Sequence, residues 1–185
     1  MYFFRTALRV LQLDGRVYGE LQEKGMAFRY SQFNFIITAA IYSFSAIMFL
    51  PYVTEGLNPA ELFILQGMVL GTGIFVVFLF YLTVSILLWA FSKGLGAELH
   101  FSRIYTNLGL ALVPLWVAMP GMAAISAGIE NYPLYAVTAL ASAYLLPTAF
   151  VATKDASGLS VGRQSASFVI LLVFLVSFVY LWVET

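Results

Sequence analysis

The sequence predicts an all-α, polytopic transmembrane bundle of five spans with an amphipathic N-terminal helix. Three observations predict it: an apolar content that no soluble fold of this length could cover, five apolar stretches near the length of a bilayer crossing, and basic residues confined to alternate connections. Of 185 residues, 62% are hydrophobic and 10% charged, against about 45–50% and about 25% in ordinary soluble domains. In water such a chain would expose large oily patches. In lipid only the backbone needs partners, and helices supply those internally.

The formal net charge is zero, which gives no reason to expect a nucleic-acid partner or a strongly acidic substrate. Cysteine is absent, which removes disulfides, thiolate nucleophiles and thiolate metal ligands.

Residues 1–32 form a charged, amphipathic leader. The first apolar span begins only near Phe33, too late and after too polar a segment for a cleavable signal peptide, so that span is expected to be an uncleaved anchor. At 100° per residue, Arg5, Arg9, Arg16 and Glu20 share one arc, with Phe4, Leu8 and Leu11 on the adjacent flank. Two readings follow. In one, the helix lies on the cytoplasmic leaflet with Arg5, Arg9 and Arg16 toward lipid headgroups; in the other, it caps the bundle.

The transmembrane domain, residues 33–185, holds spans at about 33–52, 62–91, 104–125, 134–153 and 167–183. A crossing takes about 20 residues through about 30 Å of hydrocarbon. The second stretch would be about 45 Å long as a straight helix, so it must tilt, kink or protrude. Gly56, Asn58 and Pro59 mark the first connection, and residues 93–103, 128–133 and 154–163 form the others. Pro114, Pro120 and Pro147 interrupt the third and fourth spans; each removes a backbone donor and favours a kink.

Basic residues orient the bundle. Arg5, Arg9, Arg16, Lys24 and Arg29 precede the first span, Lys93 and Arg103 lie in the second connection, and Lys154 and Arg163 lie in the fourth, which accounts for all nine. The opposite side carries only Glu55, Glu61, Glu130 and Glu184. The positive-inside bias then puts the amino terminus in the cytoplasm and, after five crossings, the carboxyl terminus outside. Tyr52, Trp89, Tyr105, Tyr132, Tyr180 and Trp182 sit near the proposed helix ends, where amphipathic rings favour the interface.

Within the spans, away from their ends, there is no Asp, Glu, Lys, Arg or His, which lowers the expectation of a proton relay or ion pathway. The mild polar residues Thr38, Ser43, Ser45, Gln66, Thr72, Thr83, Ser85, Ser142 and Thr148 are expected mainly to bond within or between helices. His100, the single histidine, stands near Glu98, but a metal site typically wants three or four ligands. No nucleophile–base set, phosphate loop or paired-carboxylate motif appears. No enzyme activity, cofactor or metal is therefore expected. Gly67 and Gly71 form a G-x-x-x-G with Gly73 just beyond; these glycines mark a homodimer seam, packing inside the monomer, or a bend.

Residues 85–114 read SILLWAFSKGLGAELHFSRIYTNLGLALVP and residues 158–166 read GLSVGRQSA. An apolar helix end, a turn bearing Gly94 and Gly96, a Phe101–Arg103 start, then a glycine and a proline in the following helix resemble the Yip1 family of small five-span membrane proteins. The Gly-Leu-Ser-x-Gly-Arg turn resembles its bacterial members. The resemblance implies a non-enzymatic role in membrane organisation or scaffolding. The Rab GTPase link of eukaryotic members is not implied, because the leader is short and no Asp-Leu-x-Gly-Pro motif precedes the first span. The expected setting is a bacterial inner membrane with a periplasmic carboxyl terminus. Expected partners are membrane lipids and a protein at a cytoplasmic face built from Lys93, His100, Arg103 and Arg163. The alternative is a small-solute or lipid permease, or an accessory subunit of a transport complex.

Overall fold

Turn residues cut the chain close to the predicted connections, with two departures that matter for function. The computed structural model describes residues 2–50, 54 and 57–183, with 178–183 by backbone alone. Among the described residues there are eight helices and no strand. They are α1 (Tyr2–Leu11), α2 (Arg16–Glu23), α3 (Ala27–Phe49), α4 (Pro59–Gly94), α5 (Phe101–Ala111), α6 (Leu115–Ser126), α7 (Tyr132–Ser157) and α8 (Val161–Val183). Helices α3, α4 and α7 are long and apolar enough to cross a membrane. A fourth crossing results if α5 and α6, bent by 76° at their junction, are one broken span. In α8, Val161–Ser177 is a shorter apolar helix. This is the architecture of an integral membrane protein. Tyr52, Glu55, Gly56 and Glu184 lie outside the described residues, as do the side chains of Tyr180 and Trp182.

Local chemistry accounts for the helix ends. Asn58 accepts from the Ala60 and Glu61 amides while Glu61 returns a bond to the Asn58 amide, a reciprocal capping box that starts α4 with Pro59 in its first turn. The Asn131 side chain caps α7 by accepting from Leu134 N–H, and Gly158, at φ +64°, ends it in a left-handed conformation that suits glycine.

The first departure is the leader. Instead of one amphipathic helix it is a helix–turn–helix, because Leu13 adopts φ +58° and the chain folds back on itself. The expected arc of Arg5, Arg9, Arg16 and Glu20 is split between α1 and α2; the turn instead places Arg9 against both Asp14 and Glu20, at 2.7 Å each. Ala7, Val10, Val17, Tyr18 and Leu21 form the buried face, packed with Leu110, Val113 and Ala152 in a core cluster of its own. Phe4 and Leu8, on the flank expected to be apolar, stay exposed. One face of the leader therefore caps the bundle while the other remains free.

The second departure is the third apolar stretch, which breaks at residues 112–114. The main core, including Tyr81, Leu88, Ile104, Leu108, Leu115 and Phe168, lies where α4, α5, α6, α7 and α8 meet. Helix α4, about 54 Å long at 1.5 Å per residue, runs past the break to reach α5 and α8 beside the leader. The molecule thus has a leader end, with α1, α2, α5 and the termini of α3, α4, α7 and α8, and a distal end carrying Glu61 and Glu130.

Candidate functional site

A broken helix leaves backbone groups without partners, and in an apolar bundle those must be met by protein. Pro114 has no N–H to offer Leu110 O. Leu115 N–H, which a continuous helix would give to Ala111 O, donates to Leu112 O at 2.9 Å. Two buried side chains answer. Asn34 Nδ2, on α3, donates to Gly109 O at 2.6 Å and Leu110 O at 3.2 Å. Thr148 Oγ1, on α7, lies 3.3 Å from Ala111 O and 2.9 Å from Leu145 O, so its one proton is shared between the break and its own helix.

Around this junction the buried polar groups form a layer. Gln22 Nε2 of α2 donates to Thr106 Oγ1 and Asn107 Oδ1 at 2.9 and 3.1 Å, and Asn107 Nδ2 donates to Ala152 O at 2.9 Å. Tyr81 OH donates to Tyr105 O, and Ser31 Oγ lies 3.2 Å from that phenol. Gln164 of α8 donates to Thr153 Oγ1 at 2.7 Å and accepts from Ser157 Oγ at 2.8 Å. The leader is tied in by Tyr144 OH donating to Leu11 O at 2.5 Å and by Tyr18 OH donating to Thr148 O at 3.5 Å. Burial pushes the Tyr18 phenol above its ordinary pKa, so it stays a neutral donor.

Gly109 lets this layer close. A Cβ there would lie 1.9 Å from Ser31 Oγ and 2.7 Å from Tyr81 OH. Hydropathy and charge patterning do not single out these amides and glycine contacts. Their signal was Asn34 and Asn107 inside predicted spans, together with Pro114: a proline that frees a carbonyl calls for a buried donor.

The expected site residues fall as follows. Lys93, His100, Arg103 and Arg163 are exposed at the leader end. Arg103 Nη2 lies 3.7 Å from Asp155, tying the second connection to the fourth, and Lys93 Nζ sits 5.3 Å above the Trp89 ring. Arg163 Nη1 is the nearest group to a Cβ built at Gly96, at 3.7 Å. Arg163 thus stands beside the turn that follows Lys93, and Arg103 beside the end of α7; His100 precedes α5 without capping it. Arg5 and Arg16 are exposed, whereas Arg9 is spent on its two carboxylates. Gly73 meets Ser43, whose Oγ would be 2.5 Å from an added Cβ, while Gly67 and Gly71 face open space. Among the described residues no three His, Asp or Glu side chains cluster to hold a metal.

Of the mild polar residues, Thr38 and Ser85 bond back within their own helices, to Asn34 O and Tyr81 O, and Ser43 bonds across to Leu70 O of α4. Ser142 is different: its hydroxyl is buried without a partner. It lines a crevice of about 510 Å³ between α4 on one side and α6 and α7 on the other, walled mainly by Val76, Phe80, Met119 and Met122.

The chain matches no family model, no curated protein and no solved structure. Its chemistry is therefore read from the site alone. The leader end presents cations over a polar core whose amide donors are committed to backbone carbonyls and to neighbouring side chains, an arrangement suited to holding shape and offering a charged surface.

Proposed function

We propose that this protein is a non-enzymatic, five-crossing membrane protein of Yip1 type, acting in membrane organisation or as a scaffold for a cytoplasmic partner in a bacterial inner membrane. The fifth crossing is α8, and the amino terminus is cytoplasmic. The observation that carries the reading is the exposure of Lys93, Arg103 and Arg163 at the leader end, with Arg103 tied to Asp155 and Arg163 beside Gly96. None of the nine Lys and Arg residues stands at the distal end, which carries Glu61 and Glu130, in keeping with the positive-inside bias for an outer face. The committed donors around the break support a role in fixing shape.

Reporter fusions test the orientation. Alkaline phosphatase fused after Arg103 is expected to be inactive and after Gly128 active; the reverse pattern would refute it. Retention of a soluble protein from native membranes in mild detergent, lost when Lys93, Arg103 and Arg163 are changed to Gln, tests the partner surface. The crevice beside Ser142 favours a second reading, a permease for a small apolar solute or lipid, because its volume lies in the range of about 300–1,000 Å³ usual for ligand sites. Solute uptake into proteoliposomes would favour this second reading over the first.

A further inference from the structure

The fold of the leader creates a groove with two chemically distinct ends. Between α1 and α2 lies a basin of about 300 Å³ lined by Arg5, Arg9 and Lys24 together with Glu20. Beside it, along α3, runs a trough of about 590 Å³ lined by Phe3, Phe28, Phe33 and Ile36. Met26 and Tyr30 line both, so the two adjoin.

Charge decides what the basin can take. Glu20 is the carboxylate inside it, and both its oxygens are held by Arg9 at 2.7 Å. Arg9 also holds Asp14, which closes that triad on itself. Arg5 and Lys24 have no acidic side chain within ion-pair distance among the described residues; Arg9 against two carboxylates leaves one negative charge, which these two cations outweigh, so the hollow keeps a net positive charge. Arg29 lines the trough next to it.

The trough asks for hydrocarbon. Phe28, Phe33 and Ile36 are 61%, 49% and 57% exposed, an uncovered apolar strip starting where the cations end. Phe3 is fixed as its edge by ring contacts with Phe33 and Tyr30 and by stacking on Trp116 of α6. One phospholipid carries both an anion for the basin and hydrocarbon for the trough.

We infer that this groove binds a single anionic phospholipid, its phosphate over Arg5 and Lys24 and an acyl chain along Phe3, Phe28, Phe33 and Ile36. This rests on the reading that the leader lies at the cytoplasmic membrane surface, and it adds a built site where that reading needs only diffuse attraction. The Arg9–Asp14–Glu20 triad then serves as scaffold for the basin, holding α1 and α2 apart at a fixed distance.

The test is native mass spectrometry of the full-length protein exchanged into mixed phosphatidylglycerol and phosphatidylcholine micelles. The wild type is expected to retain one phosphatidylglycerol in preference to phosphatidylcholine. Each basic residue near an anionic surface is worth about fivefold, so Arg5→Gln/Lys24→Gln should lose about 25-fold of that preference. Arg5→Lys should keep it, which guards against misfolding, and Arg16→Gln, outside the basin, should leave it unchanged. Phe33→Ser should weaken retention of both lipids. Equal retention of the two lipids by the wild type overturns the site, as does an unchanged preference in the double variant. If Arg16→Gln loses as much as the double variant, the attraction is diffuse: the site falls while an interfacial leader stands. Displacement of phosphatidylglycerol by millimolar inorganic phosphate would mean that the trough contributes nothing, and would also overturn it. The phosphatase fusions report the side of the membrane without reference to lipid, so failure of the topology is distinguishable from failure of the site.

Discussion

At the leader end, helix backbones meet through buried amides and hydroxyls: Asn34 on the broken α5–α6 junction, Asn107 on α7, Gln164 between α7 and α8. At the distal end the same long helices meet through small residues, Gly73 against Ser43 and Gly121 against Thr138, and part to leave the crevice beside Ser142. In lipid, apolar contact between helices gains little, because the acyl chains they displace are as apolar as the side chains. Directional bonds and close backbone approach therefore carry the fold. The leader end combines many such bonds with close approach, which suits a surface that must present charges at set positions, while the distal end has fewer, Ser43 to Leu70 O among them, and is freer to adapt to lipid.

The sharpest way to break this contrast is to place one methyl group at either end. Gly109→Ala puts a Cβ into Ser31 and Tyr81 and displaces the phenol from Tyr105 O; overpacking of this kind reaches about 3 kcal/mol. Gly67→Ala and Gly71→Ala meet nothing within 4 Å, and alanine is the better helix former by about 0.5–1 kcal/mol, so they should be neutral or stabilising. Unfolding in detergent, followed by size-exclusion after heating, checks both. A Gly67→Ala as harmful as Gly109→Ala would mean that another chain covers the G-x-x-x-G face, and would revive the homodimer seam.

A smaller effect is expected at the break. Asn34→Leu removes the donor to Leu110 O, which Pro114 has already deprived of its helical partner. A stranded buried carbonyl costs about 1–3 kcal/mol. Some of this is offset, because Asn34 Oδ1 is itself buried without a partner and leucine deletes it; a net loss of about 2 kcal/mol is expected from the same unfolding measurement. No loss would mean that the junction tolerates bare carbonyls, and the proposed division between the two ends would weaken.

The helix ends are legible because they are local: Asn58 with Glu61 three residues on is a capping box in any context, and Asn131 and Gly158 lie within the connections read at 128–133 and 154–163, although α7 (Tyr132–Ser157) overruns the expected span of 134–153 at both ends. The clustering of basic residues was legible too, since Lys93, Arg103 and Arg163 lie on connections that share one end. The leader's fold was not. A helical wheel assumes one continuous helix, and the reversal depends on a positive φ at Leu13, a residue type that gives no warning of it. Nor was the break visible as more than a kink, since Pro114 alone allows either; the 76° bend depends on donors from α3 and α7, far away in sequence. Gly67 and Gly71 read alike with Gly73 in sequence, yet only Gly73 turns toward a neighbour.

The mildest expected effect separates the leader from the bundle it caps. Arg9 holds the Asp14 and Glu20 carboxyls below their ordinary range, chiefly through the hydrogen bonds it donates to them. A carboxylate depressed in the folded state adds stability that is fully present above its unfolded pKa, about 4, and is lost as pH falls through the lower folded value. Acidification below about pH 4 should therefore loosen α1 from α2 before the polar layer fails, because Asn34, Asn107 and Gln164 do not titrate. Trp116 reports on this directly, since Phe3 stacks on it at 6.1 Å. In Trp89→Phe/Trp182→Phe protein, which leaves Trp116 alone, its emission should shift on acidification while far-UV helicity holds. Arg9→Gln should show the shifted emission already at neutral pH and lose the acid step. If the acid step persists in Arg9→Gln, the triad is not what fixes the leader, and the packing of Val10, Val17 and Tyr18 on the break would hold it unaided.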